Sequence, residues 1–439
     1  MLTRRSLLHS LAAAGALGRL RQTASAAGTE YKALVCVFLF GGNDCNNMIV
    51  PLGAEQYREY ARARGGLALP QASLLPITTP GGAAYGLHPR LADLQQLFTR
   101  KKLGIVANVG MLTRPTTRDQ YRQRAAPLPS NLFSHSDQQA QWQSSYPDTS
   151  SRTGWGGRAA DFAQQLNTDR GFTAISLSGN TIFLEGKEAR PALVTVGGVT
   201  GLSGFNDTPP SQARLRGILD LLNINEGSAL VQILNDTALE GLRISQVLSA
   251  ATSGASGLVT RFPATTLGRQ LESVARIIRM RGDLGVNRQV FFCSLGGFDT
   301  HINQLTTHDS LLSQLGPALA AFHTATLELG VENQVTAFTE SEFGRTLQPS
   351  SGAGSDHGWG SHHLIVGGAV KGGDVYGQFP VVAMGGPDDA TGRGVWVPTT
   401  SVDQYAASLA TWFGMDETSL SELLPNLANF PQQTLGFLG

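Results

Sequence analysis

Apolar and polar positions follow two alternating regimes along this 439-residue chain. Short continuous apolar runs rich in β-branched residues predict strands buried on both faces. They fall at 32–40 (KALVCVFLF), 103–109 (LGIVANV), 173–178, 289–295 (QVFFCSL), 335–339 (VTAFT) and 364–368 (LIVGG). Between them apolar residues recur at helical spacing over 54–64, 88–101, 158–166, 303–329 and 398–413. In 88–101, for example, Leu91, Leu94, Leu97 and Phe98 form one face. Residues 209–282 read as helical, with long runs near 228–250 and 265–281, and follow a Gly- and Thr-rich stretch, 180–208, of little period. Strands alternating with helices predict an α/β fold around a mostly parallel sheet. No internal repeat or linker interrupts the pattern. The expectation is one domain over 27–439, in which 180–282 is a lid or helical insertion.

The ends of the predicted strands carry the chemistry. In an open α/β sheet, ligands bind outside the carboxyl ends of the strands. The first run stops at Gly41-Gly42-Asn43-Asp44, followed by Asn46 and Asn47; glycines there allow a sharp turn and close approach to a ligand. Gly296-Gly297-Phe298-Asp299-Thr300-His301 repeats that layout after another strand. Asp299 and His301 are two apart and can face one ligand from an extended segment. The run 335–339 leads to Glu340 and Glu342, then to a Ser/Gly-rich loop that ends in Asp356, His357, His362 and His363. A further polar cluster, Ser134-His135-Ser136-Asp137, heads a predicted helix, where Ser and Asp are ordinary N-caps. His88, His308 and His323 sit singly and read as satisfied or solvated side chains.

Converging carboxylates without partners are costly to keep ionised, and a divalent cation removes that cost. Mixed carboxylate–imidazole ligation suits zinc, manganese or iron better than calcium. The expected ligands are therefore Asp44, Asp299, His301, Glu342, Asp356, His357, His362 and His363, around one or two ions, with zinc, manganese or magnesium foremost. Arg345 is the expected holder of a substrate oxyanion through its planar fork.

Composition narrows the field. Lys+Arg and Asp+Glu both total 33, so no basic surface points to nucleic acid. No C-x-x-C-H or clear G-x-G-x-x-G supports a redox cofactor. Cys36 and Cys293 fall in predicted buried strands and imply no disulfide framework. At the N-terminus, Thr3-Arg4-Arg5-Ser6-Leu7-Leu8, an apolar stretch from Leu11 to Leu17 and Ala24-Ser25-Ala26 have the layout of a cleaved signal over 1–26, with the paired arginines of the twin-arginine type. Its apolar part is too short for a permanent membrane span. The expectation is a periplasmic or secreted protein whose partner is the twin-arginine export machinery.

Six stretches carry a resemblance: GGNDCNN (41–47), SHSDQQ (134–139), GGFDTH (296–301), SEFGRT (341–346), SDHGWGSHH (355–363) and VPTTSVDQYAASLATWFG (397–414). Through them the chain resembles the bacterial family known as domain of unknown function 1501. That family in turn resembles, more distantly, the alkaline phosphatase–sulfatase superfamily. The resemblance implies an alkaline phosphatase-like three-layer α/β sandwich with metal ligands at strand ends. It also implies a metal-dependent hydrolase of phosphate or sulfate esters, acting on a small-molecule or glycan ester. Asp44 would be the first-strand ligand, Glu342 would replace a strand-end aspartate, and His362 or His363 would be the late histidine. Phe343 stands where the superfamily has a histidine, so His357 is expected to fill that place. No Cys/Ser-x-Pro-x-Arg follows the second strand, so a formylglycine sulfatase is not expected. Ser134, heading its helix, is the nucleophile candidate and Thr116 its rival. The alternative is a non-catalytic periplasmic binding or assembly protein on the same fold.

Overall fold

The strand 32–40 is apolar at almost every position because both of its faces are covered, and it forms the middle of the sheet. The computed structural model describes residues 30–195, 198–199, 208–224, 227–252 and 257–439; the expected signal, 1–26, lies outside them. The strands that matter here are β1 (Lys32–Phe40), β2 (Leu103–Gly110), β3 (Ala174–Ser176), β4 (Ala192–Thr195), β5 (Arg288–Gly296), β6 (Val335–Glu340), β7 (Arg345–Pro349), β8 (Ser355–His357), β9 (Ser361–Gly367) and β10 (Val375–Tyr376). The main sheet has the order β10-β2-β9-β6-β1-β5-β3-β4, continued by the short strand Gly198–Val199. Pairing is parallel from β6 through β1, β5 and β3 to β4, whereas β9 runs antiparallel to both β6 and β2.

Helices cover both faces. Leu34, Cys36 and Phe38 point into a core shared with Trp142, Trp155, Ala159, Tyr405 and Phe413, from the helices His135–Ser144, Trp155–Ala163 and Val402–Phe413. The alternate residues Val35, Val37 and Leu39 face the other way and are equally buried. There helix Thr266–Arg279 packs on β5 and on helix Gln304–Glu328, which in turn meets helix Ala92–Thr99. The result is a three-layer α/β fold with a mostly parallel central sheet. Helix Ala229–Thr252, part of the expected lid, packs on helix Thr266–Arg279 and on β4. That places it at the opposite end of the sheet from β9 and β2. Among the described residues no helix is long and apolar enough to cross a membrane.

Two consequences of this topology shape the site. The carboxyl ends of β1, β5 and β6 lie side by side at one edge of the sheet, with Phe38 opposite Glu340 and Phe40 opposite Gly296. Because β9 is antiparallel, its first residues, Ser361 to His363, lie at that same edge, with Ser361 opposite Val109 near the end of β2.

Glu340 itself is an anomaly of the core. It is fully buried, accepts from Trp155 Nε1 at 3.2 Å and Cys36 Sγ at 3.8 Å, and burial pushes its carboxyl up to about 8. The folded chain keeps this proton where the unfolded chain, near its ordinary 4.5, releases it. Stability is therefore lost as pH rises from about 4.5 to about 8 and stays reduced above that. Glu340→Gln keeps the shape without the ionisation. It is expected to stabilise the protein by a few kcal/mol at pH 9, about 1.4 kcal/mol per unit of the shift, and by little at pH 5. Denaturant titration at the two pH values measures the difference; equal gains at both would refute this assignment of the proton.

Candidate metal centre

The turn after β1 brings the site together. Gly41 has φ +117° and Gly42 φ +81°, a region that favours glycine. A side chain at Gly41 would meet the Asp299 backbone nitrogen at 2.3 Å, and one at Gly42 would meet the Phe343 ring at 2.4 Å. The two glycines thus let the loops after β5 and β6 close over the end of β1. The chain after β6 then folds back as the hairpin β7–β8, which sets His357 opposite Arg345. On the other side, helix His135–Ser144 begins over the same edge and presents its first residue.

Three side chains from three segments converge here: His135, Asp299 and His357, whose ligand atoms all lie within 4.8 Å of one another. His135 Nε2 is 3.4 Å from Asp299 Oδ1, and His357 Nε2 is 3.5 Å from the same oxygen. Each imidazole is fixed through its far nitrogen. His135 Nδ1 lies 2.8 Å from Glu342 Oε1, and His357 Nδ1 lies 2.7 Å from the Phe133 carbonyl oxygen. A ring that donates from Nδ1 leaves Nε2 as a bare lone pair, the arrangement by which outer partners orient metal-binding histidines. His135 Nε2 is buried without a hydrogen bond. His301 joins at the open side: its Nε2 is 2.9 Å from His357 Nε2 and 3.1 Å from Asp299 Oδ1, and its Nδ1 is 3.4 Å from Asp356 Oδ1. Arg393 in turn pairs with Asp356 at 2.6 Å.

The electrostatics favour cation capture. The Glu342 hydrogen bond raises the His135 pKa over the opposing effect of burial, while burial lowers that of His357. Burial opposes ionisation of Asp299, but Arg345 outweighs it and holds the carboxyl below its ordinary range. Asp356 is likewise held low, by Arg393 and His301 against its burial. Convergent imidazole nitrogens with bare lone pairs around an ionised carboxylate fit a borderline divalent cation.

The other expected residues lie apart from the cluster or stand behind it, each for a physical reason. Asp44 is buried against Arg64 and accepts from Gln304 Nε2 at 2.5 Å, both through Oδ2, while its Oδ1 is buried without a hydrogen bond. His362 is fully buried with Nδ1 accepting from the Asn108 N–H at 3.0 Å, and burial depresses its pKa to about 3. His363 is buried against Trp142 and Tyr405, with its pKa also near 3 through burial. Neither meets the His135–Asp299–His357 group. Glu342 is fully buried and stands behind His135, with Gly41 N–H and Gln139 Nε2 also on its Oε1, at 2.8 and 2.9 Å. Arg345 is not free for a substrate. Its guanidinium is buried and its N–H groups meet the carbonyls of Gly41, Gly42, Phe298 and Ser355 as well as Asp299. Ser134 Oγ bonds Asp137 at 2.5 Å instead of capping its helix, and Thr116 Oγ1 donates to the Arg114 carbonyl. Phe343, in place of a ligand, stacks on His357 at 4.7 Å and 26°. His135 was legible only as part of a capping cluster. Gln139, four residues on and sharing its Glu342 partner, was the helical-spacing signal beside it.

The model of the family described as "Protein of unknown function (DUF1501)" matches residues 31–420. The chain belongs to this family. No curated protein matches it. Among solved structures the chain is similar to Ps i-CgsB, at 7% identity and TM-score 0.37, over 90% of this chain and 77% of that one. It is also similar to the PsFucS1 sulfatase from Pseudoalteromonas sp., at 10% identity and TM-score 0.32, over 89% and 74%. The phosphonate monoester hydrolase of Agrobacterium radiobacter gives 10% identity and TM-score 0.32, over 88% and 74%.

Proposed function

We propose that this family member is an exported, divalent-metal-dependent hydrolase of phosphate or sulfate esters. The observation that carries the reading is the pair of imidazoles, each tied back through Nδ1, whose Nε2 atoms face one carboxylate oxygen. His135, Asp299 and His357 would hold the cation, with His301 beside them. A divalent cation, when bound, supplies Lewis acidity toward an ester oxygen. The remaining work falls to the chain. Glu342 and the Phe133 carbonyl keep both rings in register, and Arg345 keeps Asp299 ionised and in place. In hydrolysis a water oxygen bonds to sulfur or phosphorus, and the ester oxygen leaves with its electron pair. That oxygen takes one proton, and the water gives up its own. His301, 43% exposed and flanked by Asp356, is the ring best situated to pass a proton at the open side.

Both hydroxyls considered as nucleophiles are turned to other partners, so water is the attacking group in this reading. Ser134→Ala and Thr116→Ala are each expected to keep aryl ester turnover within about fivefold of wild type, since a lost nucleophile costs orders of magnitude more. A loss above a hundredfold in Ser134→Ala would establish a covalent route instead. The reading as a whole is tested on the full chain by turnover of aryl phosphates and aryl sulfates with zinc, manganese or magnesium supplied in turn. No turnover with any of the metals would leave a binding protein.

A further inference from the structure

The charges around the cluster bear on which esters it takes. Among the described residues, the carboxylates in or directly behind it are Asp299, Glu342 and Asp356, and the cations paired with it are Arg345 and Arg393. Asp44 is paired with its own cation, Arg64. With neutral imidazoles, as cation binding requires, one negative charge is left over. One divalent cation turns that into a single positive charge. Both guanidiniums already hold partners, Arg345 fully buried and Arg393 at 44% exposed. Arg345 is buried with its N–H groups spent on carbonyls and Asp299, and Arg393 is bound to Asp356 and to Gln348 Oε1 at 3.3 Å. A phosphate monoester brings two charges and three oxygens that want such forks. A sulfate monoester or a phosphodiester brings one charge, which the site can neutralise.

We infer that the site selects monoanionic esters, sulfate monoesters or phosphodiesters, over dianionic phosphate monoesters. This rests on the hydrolase reading for its chemistry but not for its binding arm. A dianion would leave one unmatched negative charge beside Asp299 and Asp356, and such like-charge placements discriminate strongly against the wrong partner.

Two measurements on the metal-loaded full chain separate the inference from the reading beneath it. The first is calorimetric binding of two inert probes, benzenesulfonate (one charge) and phenylphosphonate, at about pH 8, above the second ionisation of the phosphonate. The sulfonate is expected to bind about tenfold tighter or more. In Asp356→Asn, which removes a carboxylate and releases Arg393, that preference is expected to shrink or reverse. Equal or tighter phosphonate binding to wild type, or no binding of either probe, overturns the inference. The second is turnover of p-nitrophenyl sulfate, bis-p-nitrophenyl phosphate and p-nitrophenyl phosphate. The first two distinguish a sulfatase from a diesterase, and preference for the third overturns the inference. Sulfonate-selective binding with no turnover of any ester would uphold the charge selection and sink the hydrolase.

Discussion

His135→Ala is expected to lower the turnover of an aryl ester by at least 10²–10³-fold, roughly the loss seen when one preorganised electrostatic contact is removed. Metal affinity should fall by at least the 10–100-fold typical of losing even an outer partner of a ligand. His135 supplies one of the Nε2 atoms that face Asp299 Oδ1, and its side chain is only partly buried, at 29% exposed. The fold should therefore survive the substitution. Glu342→Gln makes the finer comparison. It leaves all three ligand atoms in place but replaces the acceptor that orients His135, so about 10–100-fold in metal affinity is expected to go while His135 itself remains. Competition with a chromophoric chelator measures both. The pH dependence follows the same geometry. Glu342 raises the His135 pKa, so protons compete with the cation at this ring first, and metal affinity should decline on acidification in wild type. Undiminished affinity in His135→Ala would show that the ring is not a ligand.

Arg345→Met is the second large effect, and it acts on stability and site together. Methionine fills similar volume but takes the guanidinium donor from the Gly41, Gly42 and Ser355 carbonyls and the Asp299 carboxylate, while the Phe298 carbonyl keeps the Thr300 N–H. The Asp299 side chain is 48% exposed, so the ion pair itself adds little, and the loss comes from the buried carbonyls left without a donor, about 1–3 kcal/mol each. Denaturant titration should show a lowered midpoint with an unchanged slope. Metal affinity should fall as well, because Asp299 loses the charge that keeps it ionised and aimed. If Arg345 instead held the substrate, as its place after Glu342 suggested, KM would rise while stability and metal affinity stayed the same. Arg345→Lys helps to separate the two. A lysine restores charge near Asp299 but cannot reach four carbonyls at once, so partial recovery of metal affinity without full recovery of stability is expected.

The architecture was largely legible because it follows from local patterning. β1 appears at the predicted residues, 32–40, since a strand covered on both faces must be apolar throughout. The glycines and acids after β1, β5 and β6 lie side by side at one edge of the sheet because these strands are parallel neighbours. What the sequence could not convey was the depth at which each polar group would lie. The apolar run 364–368 seemed to begin at Leu364, yet β9 starts at Ser361 and draws His362 and His363 into the core. Nothing local to that triplet reveals the Asn108 N–H or the Trp142 and Tyr405 rings that satisfy and cover them. Asp44 also has a partner that the sequence did not reveal. Its partner Arg64 is on a helix 20 residues on, and a buried pair across such a distance has no signature in spacing. His135 was passed over because a polar cluster at a helix start has a sufficient explanation as a cap, although Ser134 does not cap that helix. In each case tertiary partners decided what residue type alone left open.

Whether His135, Asp299 and His357 together hold one divalent cation decides the function proposed for this site. Elemental analysis of the full chain answers it most directly, after saturation with zinc and dialysis against metal-free buffer, with Asp299→Asn beside wild type. Wild type is expected to retain at least one equivalent of zinc and Asp299→Asn a substoichiometric trace at equal folded fraction. Wild type that retains no zinc, or retains as much as Asp299→Asn, would contradict that proposal.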